Sequence, residues 1–310
     1  MSTTRRKFSF AATAAMLMPR VARAAATPIP LITTITGDTR AACEGAIRDG
    51  ADFVAVRIVV TRDGVLIVAA DNELSLTTDI AQRDEFAKRR ATKRIDASPQ
   101  SGWFAEDFSL AELKTLGSIP TVKSRQPAGP HGGILTLDEV IDLARTGCIR
   151  QARVIGIYAR LLHPTYFSRL GLALEPRVAN TIRSTGYDSP AAAMFVESTE
   201  ESALKILTTL TRVRRVRNVS ADSDLTLASL RLVRASAQSL SIREIGLERH
   251  PNLITEAHSV GLSLLVDSDT SDRHRLETLF RTKPDSIISP YTLLATKARN
   301  AASARWRSEA

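Results

Sequence analysis

Residues 50–68 read Gly50-Ala51-Asp52-Phe53-Val54-Ala55-Val56-Arg57-Ile58-Val59-Val60-Thr61-Arg62-Asp63-Gly64-Val65-Leu66-Ile67-Val68. The glycine closes a preceding helix, residues 53–58 are rich in β-branched side chains, and Asp63-Gly64 turns the chain into a second apolar run. Upstream, residues 29–35 form another β-rich run, and Asp38 stands where it would cap a helix reaching Arg48. Downstream, residues 71–133 break the rhythm with a polar, proline-containing insertion. Inside it, Ser109-Leu110-Ala111-Glu112 is a capping box for a short helix, and Thr136-Leu137-Asp138-Glu139 is a second one, opening a helix to Arg145. Strands are then expected at 154–158, 194–196, 213–219, 242–246, 262–266 and 285–288. Helices are expected between them at 177–183, ended at Gly186, at 203–210, at 253–258, closed at Gly261, and at 275–280.

Nine strand candidates alternating with helices fit an α/β chain folded as a (β/α)8 TIM barrel, with one candidate an extra hairpin strand. A doubly wound open sheet is the alternative, but no glycine-rich phosphate fingerprint follows the first strand. The expected organisation is a leader over residues 1–26 and one barrel domain over 27–310 that carries the insertion.

The chain has 310 residues, 44% apolar and 24% charged, which excludes a disordered, collagenous or disulfide-dense protein. Aromatic residues are only 5%, too few for base-stacking platforms on single-stranded nucleic acid. The net charge of +9 is uneven: five of the 42 basic residues fall in residues 1–26, which hold no acid, leaving 37 against 33 acids in the rest. Arg212, Arg214, Arg215 and Arg217 alternate with valine and read as a strand with flanking charges, so no nucleic-acid partner is expected.

Thr4-Arg5-Arg6-Lys7-Phe8-Ser9-Phe10 is a twin-arginine pattern, and a short alanine-rich apolar stretch follows it to Met18. Ala22-Arg23-Ala24 and Ala24-Ala25-Ala26 offer the small residues that a signal peptidase needs. The expectation is export in folded form to the periplasm or beyond, with no transmembrane segment in the mature chain. Cys43 and Cys148, the only cysteines, read as small buried thiols, although an oxidising compartment permits a disulfide.

Several ordered motifs resemble the bacterial glycerophosphodiester phosphodiesterase family. They are Gly50-Ala51-Asp52-Phe53-Val54, Thr61-Arg62-Asp63-Gly64-Val65-Leu66, Asp71-Asn72-Glu73-Leu74-Ser75 and Thr77-Thr78-Asp79. Gly102-Trp103-Phe104-Ala105-Glu106-Asp107-Phe108-Ser109-Leu110 is similar to the family's insertion, and Gly156-Ile157-Tyr158 with His163-Pro164-Thr165-Tyr166 to its fourth-strand segment. Glu200 to Leu207 and Ala257-His258-Ser259-Val260-Gly261-Leu262 match later helices and turns. The resemblance implies a TIM barrel, a divalent cation such as Ca²⁺ or Mg²⁺, and hydrolysis of glycerophosphodiesters to glycerol 3-phosphate and an alcohol, a reaction of lipid metabolism.

The same resemblance shows what this chain lacks. The family's two catalytic histidines fall at Ala70 and at the Thr33-Thr34-Ile35-Thr36 segment leading to Gly37, and no histidine precedes His131. The remaining four are His163, His250, His258 and His274. The family's Glu-x-Asp pair reads Ala55-Val56-Arg57, its acidic loop residue matches Gly37, and its Glu-x-Lys pair reads Arg160-Leu161-Leu162. A hard divalent cation needs several oxygen ligands. The expectation is therefore no metal cofactor, no residue retained in a catalytic role, and a family member that is a catalytically impaired pseudoenzyme.

Arg57 and Arg160 stand near the C-terminal ends of two strands, where barrel sites lie. Converging, they would hold a phosphate or carboxylate by two guanidinium forks; the opposing reading pairs each with Asp71, Glu197 or Asp267. Asp71 either orients a ligand or holds a loop, and Glu197 either lines the mouth or neutralises an arginine. His163 reads as a loop or packing residue with a relocated base as the alternative, His258 as structural, and Trp103 as packing for the insertion, with substrate stacking as its alternative. Three functions follow: an exported barrel binding an anionic, phosphate-containing ligand or a protein partner; an active phosphodiesterase with a rebuilt site; or a purely structural protein.

Overall fold

The computed structural model describes residues 29–34, 39–119 and 133–308. The leader expected over residues 1–26, Ile35 to Asp38 and His131 lie outside them. Eleven strands are described: β1 Leu31–Thr34, β2 Phe53–Val60, β3 Leu66–Val68, β4 Ala91–Ile95, β5 Ser98–Gly102, β6 Gly156–Leu161, β7 Met194–Ser198, β8 Arg214–Val219, β9 Ser239–Arg243, β10 Ser263–Asp267 and β11 Ser286–Ser289. The helices are α1 Arg40–Arg48, α2 Leu110–Leu113, α3 Leu137–Gln151, α4 Pro164–Arg169, α5 Leu174–Ser184, α6 Glu201–Leu210, α7 Leu227–Ser236, α8 Glu244–Arg249, α9 Leu253–Ser259, α10 Arg273–Arg281 and α11 Thr292–Ser308.

Eight of the strands pair in parallel in the order β1-β2-β6-β7-β8-β9-β10-β11, and β11 returns to β1. This closes a (β/α)8 barrel. The extra strand is β3, which pairs antiparallel with β2 through Val59↔Ile67. The turn between them needs the positive φ of Gly64, +83°.

Period-two alternation divides each strand between two cores. Ile32, Ala55, Tyr158, Phe195, Val216, Leu265 and Ile288 point inward and form the barrel's filling. Val54, Val56, Ile157, Ala159, Met194 and Val196 point outward, under the helices. Below the filling, Arg214 lies over the Phe195 ring, 3.9 Å from its centre.

Both expected capping boxes form, at Ser109/Glu112 and Thr136/Glu139. Thr39, rather than Asp38, carries the described N-cap of α1, accepting from the Ala42 amide. The strand expected at 242–246 is instead Ser239–Arg243, and Glu244 opens α8. Its inward residues, Ser239 and Ser241, are small and polar, so the apolar run shows only the outer face. The expected 154–158 strand lies later, at Gly156–Leu161, because Val154 is exposed and precedes the sheet. The insertion contains a hairpin, β4–β5, that its polar sequence gave no reason to expect.

Candidate functional site

The inward alternation that ends in apolar filling lower in the barrel ends in charge at its mouth. Arg57, Arg160 and Glu197 are direct neighbours across β2, β6 and β7, through the registers Arg57↔Arg160 and Arg160↔Glu197. Asp267 reaches in from β10 on the far wall.

Arg160 joins these strands. Its Nη2 donates to Asp267 Oδ2 at 2.8 Å. Its Nε lies 3.0 Å from Glu197 Oε1 as an ion pair without hydrogen-bond alignment. Burial alone would weaken the arginine's hold on its proton, but Glu197, Asp267 and Tyr158 outweigh it, so the guanidinium is held charged more firmly than in water. Glu197 is buried and also accepts the Tyr158 hydroxyl at 2.5 Å. Burial, and then the Glu197 charge, raise the Tyr158 pKa well above its ordinary value, which keeps the phenol protonated. Ser241 hydrogen-bonds Tyr158, and Asn218 donates to Ser241 at 3.4 Å. The chain Asn218–Ser241–Tyr158–Glu197–Arg160–Asp267 thus spans the mouth from five strands.

Arg57 and Arg160 are therefore adjacent but do not form one open two-arginine fork. Arg160 is committed to Glu197 and Asp267. The Arg57 charge helps to keep Asp71 ionised, and among the described residues no carboxylate lies within ion-pair distance of Arg57. The interior pair on β6 is Tyr158 and Arg160, one alternation earlier than the pair read from sequence. Leu162 falls past the strand and packs toward the outer core.

A second cluster sits beside the first. His163, in the left-handed backbone region at φ 51°, places Nε2 2.9 Å from Asp71 Oδ1 and Nδ1 against Asp96 at the hairpin tip. Burial alone would lower the His163 pKa, but the hydrogen bonds to Asp71 and Asp96 raise it to about 9. Asp71 is likewise opposed by burial, yet His163 and the Asn72 amide hold its pKa below the usual carboxylate value. Asp71 therefore serves both as a loop anchor and as the partner of an imidazolium. At neutral pH His163 is a charged bridge between the insertion and the barrel, neither a packing residue nor an available base.

Other expectations resolve simply. Trp103 Nε1 donates to the Phe86 carbonyl at 2.8 Å, which ties the insertion together. His258 meets Asp285 at 2.7 Å near the N-terminal end of β11, away from the mouth. Cys43 is buried as expected, Cys148 is only half-buried, and neither is in a disulfide. Among the described residues no group of three or more His, Cys, Asp or Glu side chains is arranged to hold a metal ion, and no helix is long and apolar enough to cross a membrane.

Sequence reading missed Tyr158, Ser241, Asn218 and Asp96 as members of these clusters. Counting back two residues from Arg160 would have found Tyr158; nothing local marks Asp96, which is 67 residues from its partner His163.

Comparison with known proteins agrees with this architecture. The model of the glycerophosphoryl diester phosphodiesterase family matches residues 24–292. A glycerophosphodiester phosphodiesterase of Arabidopsis thaliana is 32% identical over 187 residues, 56% of this chain and 49% of the relative. The chain thus spans about half the length of that curated relative. A glycerophosphodiester phosphodiesterase structure from Agrobacterium tumefaciens superposes with a TM-score of 0.63 at 20% identity, covering 86% of this chain and 99% of the other. A phosphodiesterase from Oleispira antarctica in complex with the product sn-glycerol-3-phosphate gives 0.63 at 18% identity, covering 88% and 97%. At these identities the solved structures speak for the fold.

Proposed function

This chain belongs to the glycerophosphoryl diester phosphodiesterase family, and on that premise we propose that it is a catalytically impaired member whose barrel mouth binds a phosphate-type anion without hydrolysing a diester. The observation that carries this reading is the engagement of Arg160 with Glu197 and Asp267. A hard cation needs several oxygen ligands converging on one point. Here the two carboxylates best placed to supply them already hold a guanidinium, and the inward positions of β2 are Ala55 and Arg57. The described residues do not fit the divalent ion that the family resemblance implies, so no step is routed through one.

Proton transfer fares no better. Diester hydrolysis requires charge neutralised on the phosphoryl oxygens and a proton delivered to the leaving alkoxide. His163 is the histidine of the mouth region among the described residues, and both of its ring nitrogens face carboxylates. What remains is Arg57, whose guanidinium offers a fork suited to an anion. Residues 1–26 carry the further proposal that the protein is exported to the periplasm by the twin-arginine route.

The test is an assay of the purified mature protein on glycerophosphocholine and glycerophosphoethanolamine, with Ca²⁺ or Mg²⁺ and with EDTA. No turnover in any condition is expected. Turnover abolished by EDTA would overturn the reading in favour of a rebuilt metal site, and EDTA-resistant turnover would favour a metal-free enzyme. Loss of the exported form in cells lacking the twin-arginine translocase would support the localisation; unchanged export would refute it.

A further inference from the structure

We propose that the groove between the β4–β5 hairpin tip and α4 is a second anion site, one that takes a phosphoryl group through Arg94 and Arg169. The groove encloses about 580 Å³, in the range of small-molecule pockets. Arg94 enters from the hairpin and Arg169 from the last turn of α4, and both are exposed. Among the described residues, neither has a carboxylate within ion-pair distance.

The acids on the same walls are already occupied. Asp96 is held by the His163 imidazolium. Glu200 accepts the Thr165 amide at 3.1 Å and the Thr165 hydroxyl as well. The Tyr166 hydroxyl donates to Glu106 at 2.5 Å, which leaves its ring as wall. Asp96 is neutralised by His163 and Glu200 is held by neutral donors, so two guanidiniums line the groove against one uncompensated carboxylate. Two like charges lining one groove repel, and an oxyanion with several acceptor oxygens relieves that repulsion while accepting paired N–H donors from each fork. This groove shares no residue with the mouth pair Arg57 and Arg160, so the proposal stands apart from the reading given above.

The phosphoryl group has two sources, a soluble phosphate or a phospholipid headgroup, and the experiment separates them. Inorganic phosphate is titrated calorimetrically into the mature protein and into Arg94→Gln, Arg169→Gln and Arg57→Gln. Co-sedimentation is measured with vesicles of phosphatidylcholine, with and without phosphatidylglycerol. Either groove substitution should weaken phosphate binding about tenfold, the scale of one lost charge-assisted contact, and Arg57→Gln should leave the groove's affinity unchanged. Vesicle binding that needs both groove arginines, without phosphate binding, would keep the site and assign its source to lipid. Binding lost in Arg57→Gln and retained in the groove variants would overturn the proposal and place the anion at the mouth. Absence of binding to both probes would overturn it outright. Both arginines are exposed and, among the described residues, have no ion-pair partner, so the variants should melt like the parent without phosphate; a large drop would show a structural role instead.

Discussion

Replacing Arg160 by alanine tests whether a guanidinium holds the barrel mouth together. Its side chain is 14% exposed, between Glu197 at 6% and Asp267 at 25%. Deleting one member of a buried ionic group costs about 3–5 kcal/mol, because the carboxylates left behind are desolvated and unpaired. The partial exposure of Asp267 puts this case at the lower end, roughly 3 kcal/mol. At about 2–4 °C per kcal/mol for a domain of this size, melting in EDTA should fall by roughly 6–12 °C. The freed Glu197 and Asp267 then face each other with no cation, so Ca²⁺ should stabilise the variant by mass action, by about 2.7 kcal/mol at a hundredfold excess over its Kd. The parent should not respond. Arg160→Lys should lose less than the alanine variant, since it keeps the charge but cannot reach both acids with a planar fork. Scanning calorimetry of the three proteins with EDTA or Ca²⁺ decides the matter. An alanine variant that melts within about a degree of the parent, or equal stabilisation of both by Ca²⁺, would refute the reasoning.

The His163 bridge gives a pH dependence. Its folded pKa of about 9 lies above the unfolded 6.5, so its stabilisation is fully present below about pH 6.5 and is lost as pH rises through 9. Asp96 is well exposed, so the effect is discounted to roughly 1–2 kcal/mol; His163→Gln should flatten the melting profile between pH 7 and 9, and an unchanged slope would count against the bridge. Asp71 works in the opposite sense, its depressed pKa contributing stability above pH 3.8 that disappears on acidification; Asp71→Asn should reduce the acid-side loss in urea titrations. Tyr158→Phe removes the hydroxyl that donates to Glu197 and should cost about 1–1.5 kcal/mol in urea unfolding, with the fold retained. Gly156→Ala places a Cβ 2.3 Å from the Phe53 ring and 2.7 Å from the Ala193 carbonyl; the clash should cost about 1–3 kcal/mol, and a neutral result would mean that β6 shifts freely.

The barrel was legible because its outer face is written in local patterns. Alternating β-branched runs, two capping boxes and glycine stops each act over a few residues, and the structure places eight of the nine expected strands in the closed sheet. Reading failed where strands are inward-polar, as at Ser239 and Ser241, whose small hydroxyls disguise a central strand as a loop. The hairpin of the insertion was hidden because four of the five residues of β5 are Ser98, Pro99, Gln100 and Ser101. Of the candidate site residues, the positions of Arg57, Arg160 and Glu197 followed from strand ends, and Asp71, Glu197 and Asp267 were the acids expected to pair with the arginines; that Arg160 takes both Glu197 and Asp267 was not legible. Which acid an arginine chooses depends on distance across the barrel, and Asp267 is 107 residues from Arg160.

A barrel mouth built from strand ends brings carboxylates from opposite walls close together, and like charges at that spacing need a cation. A metal supplies it from outside, and its affinity must then be maintained by every ligand at once. Arg160 supplies it from within, with a covalent tether and no exchange. Where a guanidinium takes that place, Glu197 and Asp267 serve as struts on either side of it, beside the inward alanine and arginine of β2. Such a mouth is rigid and charge-balanced before any ligand arrives. Rigidity of that kind suits binding, where a preformed site loses less entropy, and works against phosphoryl chemistry, where charge must be neutralised where it develops.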